Sequence, residues 1–189
     1  GLRDTLRKEA KEAIVDLRNE GVRQCSMVTG DRSSVAQKVG TSLEMDEVRS
    51  ECLPDDKVEF VENVKKNHTV AVVGDGINDA PALAAGDLGI AMGAIGSDIA
   101  INSASIALMT NDLRRIPMLI KLARRSHSIV NQNLLLGLVF VIAGVSFSVF
   151  GYLDPIAAAI LHAGSTLVIV FNSARLVRTG EELTERAGM

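Results

Sequence analysis

The chain has 189 residues, enough for one modest globular domain and a little more. Its net charge of −3 hides an asymmetry, because residues 1–112 hold 12 Lys and Arg against 19 Asp and Glu, whereas residues 113–178 hold seven basic residues against Asp154 alone. The only aromatics are five Phe and one Tyr, with no basic face interleaving them, which argues against a nucleic-acid interface, and Cys25 and Cys52 belong to no Cys-x-x-Cys pair and read as reduced, buried thiols.

In chain order, Thr5 to Asn19 places Leu6, Ala10, Ala13, Ile14 and Leu17 at helical spacing, with Asp4 as N-cap and Gly21 as the stop. Val22 to Val28 reads as a buried strand, broken by Thr29-Gly30-Asp31 before a short helix over Ser33 to Val39. Pro54 opens a helix through Lys66, and Thr69 to Val73 is a β-branched strand. Asp79 to Ala85 reads as helix, Leu88 to Met92 as strand, Asp98 to Asn102 as helix and Ser105 to Met109 as strand. Strands alternating with helices over 1–112 predict an α/β fold, a parallel sheet with helices on both faces.

From Asp112 the pattern changes. A basic helix is expected over 113–132, followed by uncharged runs from Asn133 to Tyr152 and from Pro155 to Ala174. Each run has the roughly 20 residues that a helix needs to cross a ~30 Å hydrocarbon core. Gly151 to Pro155 supplies a tight turn, so 133–176 is expected to form a transmembrane hairpin in the lipid bilayer, with 177–189 as a tail. Lys and Arg flank both outer ends, which puts residues 1–130 and the tail on the cytoplasmic side of a multi-pass cell-membrane protein. Gly1 is no initiator Met and nothing at this end resembles a signal peptide, so the chain reads as a piece of a longer protein.

The chemistry concentrates in Val72-Val73-Gly74-Asp75-Gly76-Ile77-Asn78-Asp79-Ala80-Pro81, where a strand gives way to a helix. Ligands bind at that edge of an open parallel sheet. Asp75 and Asp79, four residues apart across a glycine turn, are hard oxygen ligands suited to Mg²⁺, and Gly74 and Gly76 let backbone approach closely. Thr29 also follows a strand and is expected to present its hydroxyl and N–H at the same edge. Lys57 stands in the first turn of a helix, a poor place for a cation unless a phosphate partners it.

This ordered set of hydroxyl, lysine and acidic pair resembles the haloacid-dehalogenase-like fold, and Gly-Asp-Gly-Ile-Asn-Asp-Ala-Pro is similar to the hinge motif of P-type ATPases. Leu2 to Arg7 resembles the segment with which that family re-enters its phosphorylation domain. The resemblance implies that Thr29, Gly30, Asp31 and Lys57 handle the phosphoryl group. It further implies that Asp75 binds Mg²⁺ with Asn78 and Asp79 steadying the site, and that ATP is bound mainly by parts of the pump outside this chain. The family's Asp-Lys-Thr-Gly-Thr is absent here, so the chain alone is expected to form no phosphoenzyme.

Two helices after the hinge domain point to the heavy-metal branch. Copper pumps usually carry Tyr-Asn and Met-Ser-Ser in these helices; neither is present. Leu161-His162-Ala163-Gly164-Ser165-Thr166 is similar to the His-Glu-Gly-Gly/Ser-Thr of a cobalt- and zinc-linked subgroup, with Ala163 replacing the glutamate. On that basis His162, Ser165 and Thr166 are expected to meet a transported divalent transition metal. Two other readings stand beside it: a copper pump with altered last helices, and a stand-alone membrane-tethered dehalogenase-like module.

Overall fold

The computed structural model describes residues 8–75, 78–93 and 98–188. The expected N-cap Asp4, the segment Leu2 to Arg7, Gly76 and Ile77 lie outside the described residues. Contacts divide the chain into two compact units, 1–117 and 118–189.

The first unit opens with α1 (Lys8–Asn19), which buries Ala10 and Ala13. It stops as expected at Gly21: φ is +83°, Gly21 N–H donates to Arg18 O and Val22 N–H to Leu17 O, the paired bonds of a Schellman cap. β1 (Ser26–Val28) is shorter than expected and pairs in parallel with β2 (Glu47–Arg49). The sequence did not announce β2: its three residues alternate charge around Val48, and only the pairing with β1 makes it a strand. Between them α2 (Ser33–Ser42) buries Ala36 and Gly40, the latter packed directly on the Val48 side chain.

α3 (Pro54–Lys65) begins with Pro at N1, and the Asp56 carboxylate reaches back 2.8 Å to the Leu53 N–H, the return half of a capping box. β3 (Ala71–Gly74), β4 (Leu88–Met92) and β5 (Ile106–Leu108) form a second parallel sheet in that order. Instead of one continuous sheet, the described strands therefore make two hydrogen-bonded groups, β1-β2 and β3-β4-β5. Short helices α4 (Ala80–Ala85) and α5 (Asp98–Ser103) connect the second group. Its core is Leu83 and Ala91, nearly inaccessible, with Val72, Ala104 and Ala107 around them. At about 25 cal/mol per Å² of apolar area, burying a leucine fully contributes about 1.5–3 kcal/mol, which anchors α4 over the end of β3.

From Arg115 onward the basic and apolar segments expected as separate pieces run together. α6 (Arg115–Val149) is one 35-residue helix, with Pro117 in its first turn where no N–H partner is needed. α7 (Pro155–Gly188) likewise runs through the expected tail. The apolar windows of both have mean hydropathies of 1.9 and 1.7, and none of either window is buried. They are long and apolar enough to cross a membrane, and the lack of burial sets them apart from soluble core helices. α6 ends in a second Schellman cap at Gly151 (φ +73°). Asp154 then caps α7, its carboxylate accepting from Ala157 N–H at 2.6 Å ahead of Pro155.

Candidate functional site

Three segments of the first unit meet around the start of α3. The turn after β1 is held there by backbone: Cys52 N–H donates to Thr29 O (3.0 Å) and Glu51 N–H to Asp31 O (2.9 Å). Glu51 takes a left-handed φ of +58° to make this approach. One turn into α3, Lys57 Nζ reaches Asp79 Oδ1 at 2.6 Å, both side chains being largely covered (18% and 24% exposed). Lys57 thus finds its anion in a carboxylate of the hinge motif, while Asp55 and Asp56 beside it offset the helix dipole that disfavours a cation there.

Asp79 can lie against the end of β3 only because residue 74 is glycine. A Cβ on Gly74 would stand 2.7 Å from both Cβ and Oδ2 of Asp79. Asp79 also begins α4, its carbonyl accepting from Leu83 N–H at 2.8 Å, so core packing of Leu83 fixes the ion pair from the other side. Asp75, first residue past β3, is exposed, and Asn78 N–H donates to its Oδ1 at 3.3 Å. A bound Mg²⁺ keeps most of its waters and takes one or two carboxylates plus substrate phosphate. One exposed carboxylate at a strand end, with a lysine-paired second on the same turn, fits such an ion. No cluster of three or more His, Cys, Asp or Glu exists among the described residues, which would suit a tightly caged metal instead.

Thr29 departs from the expectation. Its N–H is taken by Arg49 O at 2.9 Å, extending the β1-β2 ladder, and so is not presented at the edge. Its hydroxyl donates to Asp31 Oδ2 (3.0 Å) and accepts from Asp31 N–H (3.1 Å), a local loop that leaves one lone pair open. Gly30 is exposed and faces the Cys52 carbonyl. Lys57 and Gly74 each meet Asp79, Asp75 and Asn78 lie on the same turn, and the Thr29 turn reaches Cys52 just ahead of α3.

In the second unit His162 is exposed midway along the apolar stretch of α7. Ser165 and Thr166 turn their hydroxyls onto the His162 backbone carbonyl, at 2.7 and 3.0 Å. Such back-bonding uses each hydroxyl proton and leaves its oxygen able to accept or to ligate.

The haloacid dehalogenase-like hydrolase family matches residues 1–87. The chain is 44% identical over 178 residues to a zinc-exporting P-type ATPase of Mycobacterium marinum, covering 94% of this chain and 24% of that protein. A manganese-exporting P-type ATPase of Mycobacterium leprae is 42% identical, with 94% and 25% covered. A crystal structure of a zinc-transporting PIB-type ATPase in its E2.Pi state superposes with a TM-score of 0.82 at 35% identity, over 92% of this chain and 28% of that one. The chain spans about a quarter of the length of the relatives it matches. With a dehalogenase-like match over its first 87 residues, a glycine-acidic turn built around Gly74, Asp75 and Asp79, and two long apolar helices after it in the sequence, the chain is similar over nearly its whole length to about a quarter of the length of metal-transporting P-type ATPases.

Proposed function

We propose that this chain supplies part of the phosphoryl-handling site and the last two membrane helices of an ATP-driven exporter of divalent transition metals. The observation that carries the reading is the 2.6 Å Lys57–Asp79 pair at the strand end that also bears Asp75, in one chain with two membrane-length helices. Phosphoryl transfer asks the protein mainly for positioning and charge neutralisation. Asp75 would hold Mg²⁺, which when bound neutralises charge on the transferring group. Lys57, kept in place by Asp79, sets an ammonium beside that position, and the Thr29 oxygen offers a hydrogen-bonding contact. Partners in this reading are the metal cargo, the bilayer and the remainder of the pump, with the first unit and both outer helix ends cytoplasmic because Lys and Arg flank them.

The relatives named for zinc and manganese favour a divalent cargo over copper. Imidazole is a borderline ligand that suits such ions, so His162 is the proposed contact, with Ser165 and Thr166 on the following turn. In a complete pump carrying these residues, Zn²⁺, Co²⁺ or Mn²⁺ should stimulate ATP hydrolysis, and His162→Ala should abolish that stimulation while phosphorylation by inorganic phosphate persists. Stimulation by Cu⁺ alone, or an unaltered response in the variant, would refute the cargo assignment.

A further inference from the structure

One polar cluster takes no part in the roles above. Midway along α6 and α7, where the uncharged run of each helix gives way to its charged part, Asn172 Nδ2 donates to Asn133 Oδ1 at 2.8 Å and to Gln132 Oε1 at 3.4 Å. Asn133 Nδ2 donates to Ser173 Oγ at 2.8 Å, and Arg175 donates to Asn172 Oδ1 at 3.1 Å. Asn133 and Asn172 therefore each use both ends of the amide. Eleven residues further into the hairpin, the space left by Gly144 admits Leu161, whose Cδ2 would lie 3.4 Å from a Cβ there. Asn133 to Gly144 and Asn172 to Leu161 are the same distance along their helices, about three turns, so both contacts belong to one antiparallel register and one seam.

Between these two points the facing side chains are apolar or small. Lipid tails are as apolar as leucine, so such surfaces give little preference for one axial setting over another a turn away. The amides do give one, because a slip of a turn, about 5.4 Å, separates every donor from its acceptor. Leu161 immediately precedes His162, and the same slip would carry the imidazole to a different depth.

We propose that Asn133 and Asn172 are positioning residues: an interhelical amide clamp that sets the register of α7 on α6 and thereby the depth of His162. The second half rests on the reading of His162 as a cargo contact; the first does not.

The test begins with the full chain in lipid vesicles, carrying Gly144→Cys with Leu161→Cys, or with the one-turn alternatives Ala157→Cys or Ser165→Cys. A short bifunctional thiol reagent links the pairs, and the linked peptides are quantified by mass. The 144–161 link should dominate. Asn133→Leu with Asn172→Leu should lower its ratio to the slipped links by roughly three- to twenty-fold, the range of single interhelical hydrogen bonds in membranes. Asn133→Ser with Ser173→Asn, which rebuilds a bond at the same level, should restore most of it. In the complete pump the Leu pair should shift the metal concentration for half-maximal ATPase stimulation by a similar factor, and the swap should reverse the shift. An unchanged link ratio in an inserted Leu variant overturns the clamp. A changed ratio with unshifted metal response overturns the positioning role, provided His162→Ala abolishes stimulation; if His162→Ala is silent, it is the cargo reading that fails.

Discussion

Replacing Gly74 by alanine isolates the feature that lets the hinge motif close. The new Cβ would stand 2.7 Å from Asp79 Cβ and Oδ2, well inside van der Waals contact, and Asp79 cannot simply swing away. Its carboxylate is held by Lys57 at 2.6 Å and its carbonyl by Leu83 N–H at 2.8 Å, with Leu83 locked in the core. Forcing one methyl into such a site costs about 1–3 kcal/mol. With a urea dependence near 2 kcal/mol per molar, this lowers the unfolding midpoint of the first unit by roughly 1 M, readable by pulse proteolysis of the full chain. The control is the double change with Asp79→Gly, which removes the three atoms nearest the new methyl; there the alanine penalty should shrink to within about 0.5 kcal/mol of zero. A neutral Gly74→Ala, or an equal penalty in both backgrounds, would refute the argument.

Acid should weaken the first unit in a defined window. Asp87 is held below the usual carboxylate range chiefly by the Val70 N–H, Asp112 by the Arg114 guanidinium and Asp46 by the Cys25 N–H. These groups take up protons more readily unfolded, so they stabilise the fold above the ordinary value near 3.8 and lose that contribution as pH falls through their lowered values. The urea midpoint should hold between about pH 5 and 7 and drop below about pH 4, less steeply in Asp87→Asn. Burial pushes the Cys25 thiol up, with Asp46 adding to the effect and Arg18 opposing it. A maleimide near pH 7.5 should therefore modify the partly exposed Cys52 at least about tenfold faster than Cys25, and equal rates would contradict the packing. Tyr152→Cys, in the turn before Asp154, should react with an impermeant thiol reagent from outside intact cells; labelling only after permeabilisation would reverse the topology.

What could be read from the sequence was what local chemistry dictates. Gly21, Gly151 and Pro54 mark the helix ends they were expected to mark, because a left-handed cap or an N1 proline has few other uses. The run from Thr69 to Val73 yields a strand, though one shifted toward Gly74. β2 escaped, since Glu47-Val48-Arg49 becomes a strand only through its neighbour. So did the partner of Lys57: helix-dipole reasoning pointed to a phosphate, and only the folded chain brings the Asp79 carboxylate across 22 residues to meet the lysine. The expectation that Thr29 presents its N–H at the sheet edge fails because its ladder partner, Arg49, lies in the unannounced strand β2. Asn133, Asn172 and Ser173 stand at the edges of the uncharged runs of α6 and α7, and three hydrogen-bonding side chains there are the sequence signal of a partner helix.

In the proposed function, the strand end bearing Asp75, with the Lys57–Asp79 pair beside it, handles a phosphoryl group together with Mg²⁺. This role is tested most directly by Asp75→Asn in a complete pump given radiolabelled ATP and Mg²⁺, with acid-stable phosphoprotein as the readout. Asparagine keeps the size of the side chain and its acceptor oxygen for the Asn78 N–H, removing only the charge. Phosphoprotein should fall at least about tenfold with the fold intact by pulse proteolysis, since charge neutralisation is the main service phosphoryl transfer asks of a site. Phosphoprotein at the unsubstituted level would contradict it.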